Sequence, residues 1–223
     1  MKRDIFNGIF VLVFGFASQI TQAQGNTYLS NLGQTSTGSL PVGSDSWLAI
    51  PFITGNNASG YFLNSVQLSL TDASGNPSDF TVMLNTVAYG NYASPGSSLG
   101  TLNGSLNPVT GGVYTYVTAL SITLLPNRQY FIVLTAGTVV ANGSYFLSYA
   151  GGLSYGQNGN WHAGNVAGGT LSISTDGSLW SDTLYPPQYA ITATPVPEPS
   201  AWSLFAFSAG VLIHFRARIR HTA

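Results

Sequence analysis

The sequence predicts an all-β fold, a single β-sandwich of jelly-roll or immunoglobulin-like type over residues 24–194. Three observations predict it. Short apolar–polar alternations recur along that stretch, clusters of Gly, Ser, Thr, Asn and Pro separate them, and nothing between the chain ends keeps a helical period. The two ends differ in kind, each being an apolar run flanked by charge.

At the amino end, Lys2 and Arg3 precede an apolar run from Ile5 to Phe16, and Thr21-Gln22-Ala23 follows. Small residues at Thr21 and Ala23 predict a secretory signal peptide over residues 1–23, passed by the Sec translocon and cut after Ala23. The run is too short for a transmembrane helix.

The body, residues 24–194, is one domain by length and buries about 70% of the surface its unfolded chain exposes. Its charges are Asp45, Asp72, Asp79, Asp176 and Asp182 against Arg128 alone, with no Lys or Glu. With no basic surface to displace counterions, nucleic acid is excluded as a partner. So few charges are unusual for a cytosolic protein, and the chain has no cysteine, so an exported form relies on its core rather than on disulfides.

Val66, Leu68 and Leu70 alternate with Gln67 and Ser69; Phe80, Val82 and Leu84 alternate with Thr81 and Met83. Tyr114 and Tyr116 flank Thr115, and Tyr130 to Leu134 is a continuous apolar run that reads as a central strand. Tyr145-Phe146-Leu147, Leu171-Ser172-Ile173 and Tyr189-Ala190-Ile191 complete the strands. Turns are expected at Asp72 to Pro77, Ser94-Pro95-Gly96, Leu125-Pro126-Asn127 and Asp176-Gly177, the last as a type I′ hairpin. No repeat of 20 to 50 residues stands out, which argues against a solenoid or propeller.

Four candidate sites follow from residue types. Gly152-Leu153-Ser154-Tyr155-Gly156 matches the nucleophile elbow of hydrolases. That motif needs a following helix and a later histidine, and Gln157-Asn158-Gly159-Asn160 supplies no helix. His162, the body's only histidine, precedes Asp176 and Asp182, so the hydrolase order is missing and the loop reads as non-catalytic. Asp72, Asn76 and Asp79 offer oxygen ligands for calcium without the acids of an EF-hand; a lone histidine makes no transition-metal site, and no cofactor is expected. Tyr155, Trp161 and Trp180, near Tyr185 and Tyr189, are candidate glycan contacts, since flat rings beside amides suit sugars; core filling is the competing reading. The sequons at Asn57, Asn103 and Asn142 read as exposed turns.

The chain closes with a tripartite tail over residues 195–223. Val196-Pro197-Glu198-Pro199-Ser200 forms a proline hinge that favours extended, exposed backbone. An apolar segment follows, carrying Ala201, Trp202, Leu204, Phe205, Phe207, Val211, Leu212 and Ile213, and Arg216, Arg218 and Arg220 make a basic end. As a helix, the run to Phe215 reaches roughly 22 Å, short of the roughly 30 Å hydrocarbon core. It therefore reads as a short, transient transmembrane helix whose arginines favour the cytoplasmic side.

These tail residues resemble the PEP-CTERM sorting signal of Gram-negative bacteria. That resemblance implies an exosortase partner, a membrane transpeptidase that cuts near the Pro-Glu-Pro motif, and a precursor held transiently in the inner membrane. The body is similar to the choice-of-anchor R domain through Asn31-Leu32-Gly33, Phe52-Ile53-Thr54-Gly55, Tyr61 to Val66, Asn127 to Leu134 and Ser174 to Trp180. This implies a surface-attached β domain with no established catalytic residues. The combined expectation is a non-enzymatic protein of the cell surface or extracellular polysaccharide matrix. Carbohydrate binding in that matrix is the alternative, and a hydrolase the remote one.

Overall fold

The computed structural model describes residues 25–165 and 168–198. Fifteen strands follow one another: β1 (Asn26–Ser30), β2 (Ser36–Val42), β3 (Trp47–Ile53), β4 (Tyr61–Gly75), β5 (Thr81–Ala88), β6 (Asn91–Asn103), β7 (Gly112–Thr118), β8 (Thr123–Leu124), β9 (Gln129–Thr135), β10 (Gly143–Ala150), β11 (Gly156–Gln157), β12 (His162–Ala163), β13 (Leu171–Ser174), β14 (Ser181–Thr183) and β15 (Tyr189–Pro195). A 3-10 turn at Val140–Asn142 is the only helical element among the described residues, so the all-β prediction holds there. None of their helices is long and apolar enough to cross a membrane. The signal peptide with its cut at Ala23, and the tail from Pro199 through Arg220, lie outside the described residues.

The strands form one antiparallel hydrogen-bonded network, ordered β11-β1-β15-β4-β7-β6-β5-β9-β3-β13-β14, with β10 joined to β2 and β4, β12 to β3 and β8 to β4. Two long strands hold it together. Along one edge β4 pairs first with β15, through Tyr61 to Leu68, and then with β10, through Leu70 to Gly75. In β6, Leu102 pairs with Val82 of β5 and with Thr118 of β7, linking the β4 half to the β5-β9-β3 half. A single core takes side chains from both halves: Val66, Leu68 and Ile191 from one, Ile50, Leu84 and Ile132 from the other. Each such buried aliphatic side chain contributes roughly 1.5–3 kcal/mol.

Strand periodicity explains which residues point inward. Val66, Leu68 and Leu70 face the core while Gln67 and Ser69 do not, as expected from the alternation. In β9, Tyr130, Ile132 and Leu134 enter the main core, whereas Phe131 and Val133 turn to the other face and bury with Ala49 beneath Trp47, Met83, Val87 and Trp180. Burial on both faces is why that stretch is continuously apolar.

Two of the four expected turns are corrected, and a third is a hairpin connection longer than expected. Asp72 to Gly75 continues β4, because β10 supplies a pairing partner as far as Gly75. Ser94-Pro95-Gly96 lies inside β6, where Pro95 sits opposite Val87 amid register shifts that absorb the missing N–H. Asp176-Gly177 is not a two-residue hairpin: β13 ends at Ser174 and β14 begins at Ser181. Gly177 has φ 75°, and the Asp176 carboxylate organises the loop by accepting from Ser178 N, Ser178 Oγ and Leu179 N. Leu125-Pro126-Asn127 is a turn as expected, with Asn127 at φ 52°.

The core strands define two ends. Ile53 of β3 pairs with Gln129 and Pro195 of β15 with Tyr61 at one end, where β1 also begins, with Asn26 opposite Ala193. At the other, Ser44 N donates to Thr138 O, Gly137 N to Ser78 O, and Gly75 pairs with Gly143.

Candidate functional site

The first of these ends holds residues 196–198, the described part of the proline-rich segment Val196-Pro197-Glu198-Pro199-Ser200. β15 lies between β1, which pairs with it as far as Ala193, and β4, which pairs with it up to its last residue, Pro195. Beyond it, Val196 N donates to Gly60 O at 3.0 Å. Asn57 closes the corner, its Nδ2 donating to Val196 O at 3.1 Å and to Gly60 O at 2.5 Å. Gly60 has φ 82°, and a Cβ there would lie 2.4 Å from the Leu124 carbonyl oxygen, so the corner requires glycine. Pro197 and Glu198 are then exposed. No free spacer separates the motif from the sheet, and the chain on both sides of the body leaves from adjacent strands.

Asn57 and Gly60 were not singled out by sequence reasoning as partners of the tail. Asn56-Asn57-Ala58-Ser59-Gly60 signals a turn, but nothing local ties a turn to a residue 139 positions later. The expected exposed sequon at Asn57 is corrected accordingly, since its side chain is half-buried and engaged by backbone.

An aromatic group lies behind this corner, and it corrects the glycan assignment of Trp161. That ring is fully buried. It is stacked on Tyr28 at 4.8 Å and on Phe52 at 5.8 Å, with Tyr61 edge-on at 5.0 Å. Tyr28 and Phe52 belong to opposite halves of the sheet, so Trp161 bridges them and presents no face to solvent. Its Nε1 has no hydrogen-bond partner. Tyr61 links this group to the exit corner, its hydroxyl accepting from Asn57 N at 3.1 Å.

Tyr155 is half-buried against Tyr189 at 5.6 Å, and its hydroxyl, its pKa raised by burial, donates to Pro187 O at 3.4 Å. Trp180 alone of the three keeps an outward position. It is half-buried over the outer cluster of Ala49, Phe131 and Val133, its Nε1 donating to Gly177 O at 3.1 Å. The structure therefore does not bring Tyr155, Trp161 and Trp180 onto one surface.

The candidate calcium ligands are also apart in role. Asp72 Oδ1 accepts from Gly111 N at 2.7 Å, holding the start of β7, while Asp79, at φ 55°, leads into β5. Among the described residues no three His, Cys, Asp or Glu groups gather as a metal site. In the elbow-like loop, Ser154 sits exposed between β10 and β11 with its carbonyl accepting from Gln34 Nε2, and no helix follows. The Asp182 carboxylate is taken up by Ser172 Oγ and Asn165 Nδ2, each at 2.8 Å. His162 is exposed on β12, opposite Ile53.

A cleft of about 480 Å³ opens at the far end, lined by Leu40, Pro41, Leu48, Ile173 and Leu179 with Asp45 and several hydroxyls. Asp45 Oδ1 accepts from Val140 N at 2.8 Å, so the cleft's single carboxylate braces the 3-10 turn. No family model, no curated protein and no solved structure matches the chain.

Proposed function

We propose that this is an exported, non-enzymatic surface or matrix protein, a β-sandwich of jelly-roll or immunoglobulin-like type sorted through its carboxyl-terminal tail by an exosortase. The observation that carries the reading is the order of the last residues: Val196-Pro197-Glu198-Pro199-Ser200, an apolar segment, then Arg216, Arg218 and Arg220. Presentation supports it. A processing enzyme grips extended backbone, and Pro197 and Glu198 stand exposed one residue beyond a strand paired to β4 up to Pro195. An anchored precursor would hold its body directly above the membrane, because the chain leaves from the last sheet pairing with no spacer.

The test is the intact mass of the protein from its native host, fraction by fraction. A surface or matrix species that begins near Gln24 and ends near Pro199 is expected. A soluble species with its tail complete would refute the sorting reading.

A second reading, binding of matrix polysaccharide, rests on Trp180 with Trp47 on the outer face of the sheet. Trp180→Ala is then expected to abolish retention on polysaccharide resin while preserving cooperative unfolding. Retention unchanged in that variant, or no binding by the unmodified chain, would end it.

A further inference from the structure

The few charges of the body are sorted by position along the strands. Four of its five aspartates lie at the end remote from the tail exit. Asp45 is hydrogen-bonded to Val140 N there. Asp72 holds Gly111, at the start of β7. Asp79 precedes Thr81, which pairs with Thr135 at the end of β9. Asp176 caps the loop after Ser174, which pairs with Trp47 at the start of β3. Asp182 lies between the ends, opposite Ser172. The one arginine of the body, Arg128, is exposed at the exit end, between the Leu125-Pro126-Asn127 turn and Gln129.

Apolar side chains are exposed at both ends, so exposure alone selects neither. Their company differs. Leu106, Val139 and Leu179 share the far end with the carboxylates. Tyr89, fully exposed, with Tyr92, Leu120 and Leu125, has Arg128 as its charged company, and Glu198 is the sole acid on that side among the described residues. Hydrogen bonds and strand pairing tie these segments to the exit: the Gln129 side-chain Nε2 donates to Tyr92 O, Leu63 N donates to Ile122 O, and Tyr61 pairs with Leu124.

We infer that the exit end is a bilayer-docking surface: Tyr89, Tyr92, Leu120 and Leu125 enter the headgroup region of the membrane that holds the tail, and Arg128 meets its anionic lipids. Tyrosines favour the lipid–water interface, where the ring is sheltered and the hydroxyl stays wet. Carboxylates are repelled by an anionic surface and are costly to dehydrate, which keeps the far end outward. The inference rests on the tail reading, since the adjacent departure of the chain from β1 and β15 is what brings this end to the lipid.

Because the chain has no cysteine, single-cysteine variants report position directly. The full chain would be reconstituted in phosphatidylethanolamine–phosphatidylglycerol vesicles as Tyr89→Cys, Leu120→Cys, Leu106→Cys or Val139→Cys, each carrying an environment-sensitive fluorophore. Headgroup-nitroxide lipid should quench the labels at 89 and 120 severalfold more than those at 106 and 139. Arg128→Glu should weaken quenching at 89, and phosphatidylcholine vesicles should reduce that difference. Equal quenching at both ends in chains that float with the vesicles would overturn this surface alone. Chains that fail to float would overturn it together with the anchored tail.

Discussion

Replacing Trp161 with alanine should destabilise the domain by about 3–5 kcal/mol, the usual cost of deleting a large buried aromatic ring. The figure follows from the ring's surroundings. Burying an aromatic side chain removes about 150–250 Å² from water, worth about 4–6 kcal/mol at about 25 cal/mol/Å². An extended-chain reference inflates that by about 10–40%. Stacking on Tyr28 and Phe52 and the edge contact with Tyr61 add about 0.5–1.5 kcal/mol each. Against this, the unpartnered Nε1 already costs about 1–3 kcal/mol in the folded state, and its removal returns that. The assay is guanidinium unfolding followed by far-ultraviolet circular dichroism, with the midpoint falling and the slope unchanged. In a domain of this size each kcal/mol lowers Tm by about 2–4 °C. Trp161→Phe should cost much less, since it keeps the stack and deletes the orphan donor. A loss below about 1 kcal/mol for the alanine variant, typical of surface positions, would refute the placement of Trp161 between the sheet halves.

Gly55→Ala should be at least as damaging as a mid-sized core truncation, about 2 kcal/mol or more, because its Cβ would meet the Gly159 carbonyl oxygen at 1.9 Å; thermal unfolding checks it. Asn57→Ala removes the two side-chain bonds at the exit corner, so about 1–2 kcal/mol is lost and cleavage near Val196 by an added protease quickens, read by mass spectrometry. Hydrogen bonds from Ser178, Leu179 and Ser174 hold the Asp176 carboxyl well below its ordinary 3.8. A depressed folded pKa stabilises the fold above the unfolded value, so that contribution is complete near neutrality and fades as pH falls below about 4. Asp176→Asn should therefore flatten the acid limb of the stability–pH profile, and an unchanged limb would disprove the role.

Local pattern and burial agree over much of the sheet. Val66, Leu68 and Leu70 could be placed on one face because strand periodicity acts between near neighbours, and Tyr130 to Leu134 revealed a strand covered on both sides. The prolines and glycines misled where a distant partner overrode them. Asp72 to Gly75 stays extended because β10 pairs with it, and Ser94-Pro95-Gly96 is absorbed as an irregularity within β6. Trp161 shows the limit most directly: beside His162 in a polar, glycine-rich stretch, glycan contact and core filling both stay open, and only the convergence of Tyr28, Phe52 and Tyr61 from three strands decides for the core.

The kind of chain this is can be read from residues alone: an all-β body almost without charge, no cysteine, and a terminal order of prolines, apolar residues and arginines. These depend on residue type and short spacing. Which rings are buried, that Asn57 and Gly60 fasten the chain at Val196, and that four of the body's five aspartates stand at the end opposite Arg128 follow from tertiary pairing alone. Those depend on strand pairings across more than a hundred residues, and the hydrogen bonds that fix such pairings leave no local trace in side-chain pattern.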